Sequence, residues 1–167
     1  MKNIILIGMM GCGKTTCANL LAQKLGRPVA DTDAIIVQRE GRPISDIFAT
    51  HGEGYFRNLE TAVATELGQQ SGLIIATGGG LPLRAENMAA LSENGMVFWL
   101  NRNPIDTFSS ESMAGRPLAQ GTLEDFIALY EHRAPIYAAA AHHIIQDFTD
   151  PEVTVSCVLK TLNELIF

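Results

Sequence analysis

The sequence is short of cysteine, of charge and of long apolar runs, and each shortage removes a class of protein. Three cysteines, Cys12, Cys17 and Cys157, form an odd set without metal-ligand spacing. That excludes a disulfide framework and predicts free thiols in a reducing compartment. Lys and Arg total 12 against 18 Asp and Glu, a net charge of -6, and nonspecific nucleic-acid binding needs the opposite balance. No stretch approaches the ~18 apolar residues of a membrane span, and the apolar run ahead of Gly8 is too short for a signal-peptide core. A cytoplasmic chain that binds neither nucleic acid nor membrane is expected. Charged residues at 18% against apolar residues at 47% also exclude a disordered chain. A length of 167 residues predicts one compact domain spanning 1–167.

Glycine is present where it matters. Residues Gly8 to Thr15 read G-M-M-G-C-G-K-T, directly after Ile4-Ile5-Leu6-Ile7 and directly before an amphipathic helical stretch. Strand, glycine-rich loop and helix in that order are the context of a phosphate-binding P-loop. Gly8, Gly11 and Gly13 let successive N–H groups curl around a phosphate at a helix N-terminus. Lys14 supplies a mobile cation for the outer phosphates, and Thr15 a hydroxyl suited to Mg²⁺.

Along the chain, short apolar runs alternate with helical periodicity. Strands are expected at Asn3–Ile7, Pro28–Ala30, Leu73–Ala76, Met96–Leu100 and His143–Ile145. Helices are expected at Lys14–Leu25, from Thr32 as cap to about Glu40, at Ser45–Thr50, Glu53–Gln70, Arg84–Glu93, Leu123–Ala141 despite Pro135, and Pro151 to about Leu165. Pro104–Ser110 suggests one or two helical turns, and Ser112–Gly121 lacks periodicity and reads as a lid loop. This alternation predicts an α/β fold, a parallel sheet with helices on both faces and ligands at the carboxyl ends of its strands.

Several further residues are candidates for chemistry. Asp31-Thr32-Asp33 follows the second strand, and in an extended segment both carboxylates would point the same way, toward a transferring phosphate. Helix capping by an acidic residue is the structural alternative. Arg57 precedes Glu60 by three residues, so the two are helical neighbours; an Arg held by a Glu suits carboxylate capture, or is simply a surface ion pair. Gly78-Gly79-Gly80 at a strand end predicts close approach of main chain to ligand. Arg116 and Arg133 say little singly. His51, His132, His142 and His143 lack ligand spacing and are expected to be structural or solvated. Cys12 inside the loop is read as a small filler side chain.

Taken in order, Gly8 to Thr15, Asp31-Thr-Asp33, Gly52-Glu-x-x-Phe-Arg57-x-x-Glu60, Gly78-Gly-Gly80, Arg116-Pro-Leu118 and Arg133-x-x-x-Tyr137 resemble the shikimate kinase family from end to end. The resemblance implies a P-loop kinase sheet of five parallel strands in order 2-3-1-4-5, with a mobile lid at about 110–122 and a substrate-binding region at about 31–60. It implies transfer of the γ-phosphate of ATP to the 3-hydroxyl of shikimate, in aromatic amino-acid biosynthesis, by a monomer using Mg²⁺. By the same resemblance Gly11, Cys12, Gly13, Lys14, Thr15 and Thr16 cradle the phosphates. Thr15 and Asp31 serve the metal. Asp33 binds substrate hydroxyls and is the candidate base, while Arg57 and Arg133 clamp the carboxylate and Glu60 orients Arg57. Gly79 and Gly80 contact the ring substituents, and Arg116 swings to the phosphates.

The chain departs from the family pattern around the base. Relatives carry an adenine-stacking Arg before the lid, whereas Phe108-Ser109-Ser110-Glu111-Ser112 has no cation, and neither does the later loop near Asp147–Pro151. Weaker or less base-selective nucleotide binding is expected. Two other readings stay open at this point: a kinase for another small hydroxy acid such as gluconate, and a noncatalytic module that binds nucleotide or shikimate.

Overall fold

The structure, a computed structural model, describes residues 1–110 and 121–165. Five strands form one parallel sheet: β1 (Asn3–Ile7), β2 (Val29–Asp31), β3 (Ile74–Ala76), β4 (Gly95–Leu100) and β5 (His143–Ile145), in the order β2-β3-β1-β4-β5. Ile4 pairs with Ile74 on one side of β1 and with Met96 on the other. Both the parallel pairing and the strand order match expectation.

Alternation along β1 divides the core in two, because successive strand residues face opposite sides. Ile5 and Ile7 join Ile75, Val97 and Trp99 beneath α2 (Thr32–Glu40), α3 (Ile44–Gly68) and α4 (Ala85–Glu93). Ile4 and Leu6 join Ile74, Ala76, Phe98 and Leu100 beneath α1 (Lys14–Leu25) and, at the far end of the chain, Val155 and Val158. Burial on both faces is why these strands read as continuous apolar runs. Asn3 is the polar exception at the base of β1. Its amide donates to the Gln70 carbonyl at 2.8 Å and accepts from the Leu73 N–H at 2.9 Å.

The remaining elements are α5 (Pro104–Phe108), α6 (Leu123–Ala140) and α7 (Pro151–Glu164), with a 3₁₀ turn at Leu81–Leu83. Thr122 and Asp125 form a reciprocal capping box on α6, and Asp150 caps α7 through the Val153 N–H. The two helices expected at Ser45–Thr50 and Glu53–Gln70 run together as α3, with a break at Gly52 (φ 81°, ψ 174°). A left-handed φ there admits glycine readily and turns the axis without unwinding either half.

Two local expectations are corrected. The second strand ends at Asp31 rather than Ala30, and the cap of α2 is Asp31, which accepts from the Ala34 N–H at 3.1 Å. Thr32 is instead the first helical residue, fully buried, with its hydroxyl accepting from the Gly78 N–H at 2.9 Å. Asp33 therefore lies in the first turn of a helix, not two residues along an extended segment, and the two carboxylates do not share one strand face.

Candidate active site

β1 empties into the phosphate loop. Gly8, Gly11 and Gly13 have φ of 148°, 75° and 102°, and Gly13 caps α1, which opens with Lys14, Thr15 and Thr16. First-turn N–H groups have no intrahelical acceptor and carry the positive end of the helix dipole. Lys14 is 8% exposed, and its ammonium donates to the carbonyls of Gly8 and Met9, each at 2.7 Å. Cys12 is buried beside it, its sulfur 3.7 Å from Lys14 Nζ. Thr15 donates its hydroxyl to Asp31 Oδ2 at 3.2 Å while Asp31 Oδ1 caps α2. The capping and functional readings of Asp31 thus describe two oxygens of one side chain.

Across the edge of the sheet lies a pocket of buried charge. Arg57 Nη1 donates to Glu60 Oε1 at 2.6 Å, and its Nε and Nη2 reach Glu53 Oε1 at 3.3 and 3.2 Å. Glu60 is 1% exposed and Arg133 5%. Burial pushes the Glu60 carboxyl up to about 6, with Asp33 adding repulsion and Arg57 and Arg133 opposing it. Burial works against the Arg57 charge, yet the hydrogen bonds and charges of Glu60 and Glu53 outweigh it and raise its pKa. Among the described residues, Arg133 Nε and Nη1 and Glu60 Oε2 are buried without a hydrogen-bond partner. Orphaned guanidinium donors in a buried site call for an anion.

The three glycines after β3 make that pocket possible, each in a different way. A Cβ on Gly78 would lie 2.5 Å from Asp33 Oδ1, one on Gly79 would lie 3.4 Å from Arg133 Nη1, and one on Gly80 would overlap the Arg57 guanidinium. Their first use is therefore to admit three side chains rather than only to bring main chain near a ligand. The same Cβ on Gly79 would stand 3.3 Å from Met10 N and 3.5 Å from Gly8 O. Gly79 is thus packed between the phosphate loop and Arg133. Tyr137, 0% exposed and one turn beyond Arg133, donates its hydroxyl to the Gly79 carbonyl at 2.5 Å. Burial holds its phenol protonated, pushing its pKa up to about 12.

On the other side of the phosphate loop, a cleft of about 830 Å³ runs between the ends of β4 and β5. Arg102, Asp106 and Ser109 form one wall, and Gln146, Asp147 and Phe148 the other.

The family model for shikimate kinase matches residues 10–163. A shikimate kinase of Symbiobacterium thermophilum is 40% identical over 97% of each chain. The chain belongs to the shikimate kinase family. Among solved structures, shikimate kinase from Acinetobacter baumannii in complex with shikimate superposes with a TM-score of 0.89 at 33% identity, covering 99% of this chain and 93% of that one. A gluconokinase from Sinorhizobium meliloti 1021 covers 98% and 93% at a TM-score of 0.59 and 15% identity, which is likeness of fold alone. The family resemblance read from the motifs is borne out, and the sheet order with it.

Within this family frame the structure brings together Asp33, Arg57, Glu60, Gly78, Gly79, Gly80 and Arg133 on one side, and Lys14, Thr15 and Asp31 on the other. Arg116 and most of the expected lid lie outside the described residues. His142 is structural, its Nδ1 accepting from the Val97 N–H at 2.9 Å, and His143 stacks on Phe98. Two residues escaped the sequence reading. Tyr137 stands in the Arg133-x-x-x-Tyr137 spacing, and a residue four beyond Arg133 shares its helix face. Arg102 follows directly on a strand end, the position where α/β ligands gather, and it puts a cation into a cleft that the lid-proximal stretch suggested had none.

Proposed function

We propose that the chain transfers the γ-phosphoryl group of ATP to the 3-hydroxyl of shikimate, giving shikimate 3-phosphate and ADP, a step of aromatic amino-acid biosynthesis. The observation that carries this is Gly79, packed at once against the phosphate loop and against Arg133. A triphosphate in the loop and an acid on the arginines then share one crevice, and such proximity converts a two-body reaction into a positioned one.

The nucleotide phosphates lie against the N–H groups of Gly11, Cys12, Gly13, Lys14, Thr15 and Thr16, with Lys14 exchanging its carbonyl partners for β and γ oxygens. Arg57 and Arg133 receive the shikimate carboxylate, filling the orphaned donors of Arg133. Gly79 and Gly80 present main chain to the ring. Asp33 accepts a hydrogen bond from the reacting hydroxyl and takes its proton as the oxygen attacks phosphorus. The bond to the β-phosphate oxygen breaks in line, and ADP leaves. Arg116, by resemblance, neutralises charge developing on the transferring group.

Thr15 and Asp31 fit a Mg²⁺ site by chemistry: two hard oxygen donors 3.2 Å apart at the phosphate loop. No cluster of three or more His, Cys, Asp or Glu suited to a metal occurs among the described residues. That agrees with an ion that keeps its waters and leans on substrate phosphates. When bound, the ion supplies charge neutralisation across the β and γ phosphates. Among the described residues no helix is long and apolar enough to cross a membrane.

The test is an ADP-release assay with shikimate, quinate and gluconate offered separately. Turnover with shikimate well above the other two is expected. A preference for gluconate, or no ADP release with any acid, overturns the reading.

A further inference from the structure

Arg57 is not free to receive a carboxylate as it stands. Its guanidinium has two carboxylates on it, and they differ in every respect that matters. Glu60 is 1% exposed and accepts at 2.6 Å, which makes it a fixed anchor. Glu53 has a side chain 64% exposed, and a single oxygen of it spans Nε and Nη2 at 3.3 and 3.2 Å. That Nε/Nη2 edge is the face an incoming carboxylate needs for a paired grip.

We propose that Glu53 is an affinity-setting residue, an internal carboxylate that sits on the Nε/Nη2 edge of Arg57 and must leave it when the substrate acid docks. The proposal rests on the reading of Arg57 as a carboxylate receptor. Three features make departure easy. The bonds are long. The backbone on either side is glycine, with Gly52 at the break of α3 and Gly54 following. The released carboxylate remains in water at the start of the helical segment beyond Gly52, where a negative charge is favoured. A long pair with one partner in water contributes little to folding. Its effect falls instead on the substrate, which competes with it for one edge. Glu53 also keeps the guanidinium of the largely buried Arg57 side chain, 12% exposed, from binding other small anions, since each must displace the same carboxylate.

The experiment measures KM and kcat for shikimate in the full chain for Glu53→Gln, Glu53→Ala and Arg57→Ala, with methyl shikimate as an uncharged acceptor. Both Glu53 variants are expected to lower the KM for shikimate by roughly two- to fivefold, the range of a weak ion pair. Their kcat should stay near the starting value, and the KM for methyl shikimate should not improve. An unchanged or raised KM for shikimate in Glu53→Gln overturns the proposal, as does an equal improvement with methyl shikimate. If Arg57→Ala raises the KM and Glu53→Gln does not lower it, the Glu53 proposal alone falls. An unchanged KM in Arg57→Ala removes the underlying reading as well.

Discussion

Tyr137 donates its hydroxyl to the Gly79 carbonyl at 2.5 Å, tying the buried face of α6 to the loop that separates the phosphate loop from Arg133. The two ends of this contact are 58 residues apart in sequence. One side chain thereby fixes the spacing between the acid pocket and the phosphate loop.

Tyr137→Phe removes that donor and leaves a carbonyl without its partner. The expected loss of stability is about 1–2 kcal/mol, the usual result of orphaning a shielded polar group. Urea unfolding followed through Trp99, whose ring lies 5.8 Å from that of Tyr137, measures it. The KM for shikimate should rise with the KM for ATP unchanged, because Gly79 shifts against Arg133 while the helix dipole at α1 is untouched. A variant with wild-type stability and KM would remove Tyr137 from this role.

Gly80→Ala tests the close packing of glycine and arginine. The backbone at Gly80 (φ −95°, ψ −5°) is open to any residue, so strain does not enter. The new methyl overlaps the Arg57 guanidinium and must push it aside. An increase in the KM for shikimate of roughly tenfold or more is expected, since a misplaced guanidinium loses its paired geometry. Gly79→Ala, with contacts no closer than 3.3 Å, should be milder. A harmless Gly80→Ala would show that Arg57 does not need its present place.

Much of this arrangement was legible in the sequence because it is local. The P-loop is a contiguous octapeptide, the apolar strands are buried on both faces, and Arg57 and Glu60 lie on one turn of helix. What escaped depends on contacts between distant segments. Nothing near Gly78-Gly79-Gly80 says that Asp33, Arg133 and Arg57 arrive there one by one. Asp31 and Asp33 do not share one extended face because helix α2 begins at Thr32, with Asp31 as its cap, the structural alternative that the sequence offered. Arg102 was passed over because its cleft is built from two loops, after β4 and after β5, that meet only in the fold.

Glu60 makes stability depend on pH in a defined direction. Its carboxyl is raised from 4.5 to about 6 in the folded protein, by burial first. The folded state thus holds this proton more tightly than the unfolded state. The favourable contribution is complete below about 4.5 and is lost as pH rises through about 6. The loss amounts to roughly 2 kcal/mol. Denaturant unfolding of the wild type and Glu60→Gln at the two ends of that window should show the wild type losing ground to the variant as pH increases. Parallel stabilities across the window would mean that Arg57 compensates the charge fully.

The cleft beyond β4 and β5, on the far side of the phosphate loop from the acid pocket, is the candidate site for the nucleotide base. A site that rejects the wrong purine strongly does so by leaving fixed, buried polar groups unpaired. Among the described residues lining the cleft beyond β4 and β5, Asp106, Ser109, Gln146 and Asp147 are exposed rather than buried, with the Ser109 hydroxyl tied only to the Ile105 carbonyl and the Asp147 carboxylate only to Thr149. Arg102, half-buried on the same wall, offers a planar cation that stacks on any base without reading its edge. ATP and GTP should therefore serve with KM values of the same order. Arg102→Ala should raise both by roughly three- to tenfold, the scale of one cation–π contact, with the KM for shikimate unchanged. Initial rates with each nucleotide at saturating shikimate measure this. A strong preference for ATP that persists in Arg102→Ala would place base selection on other residues.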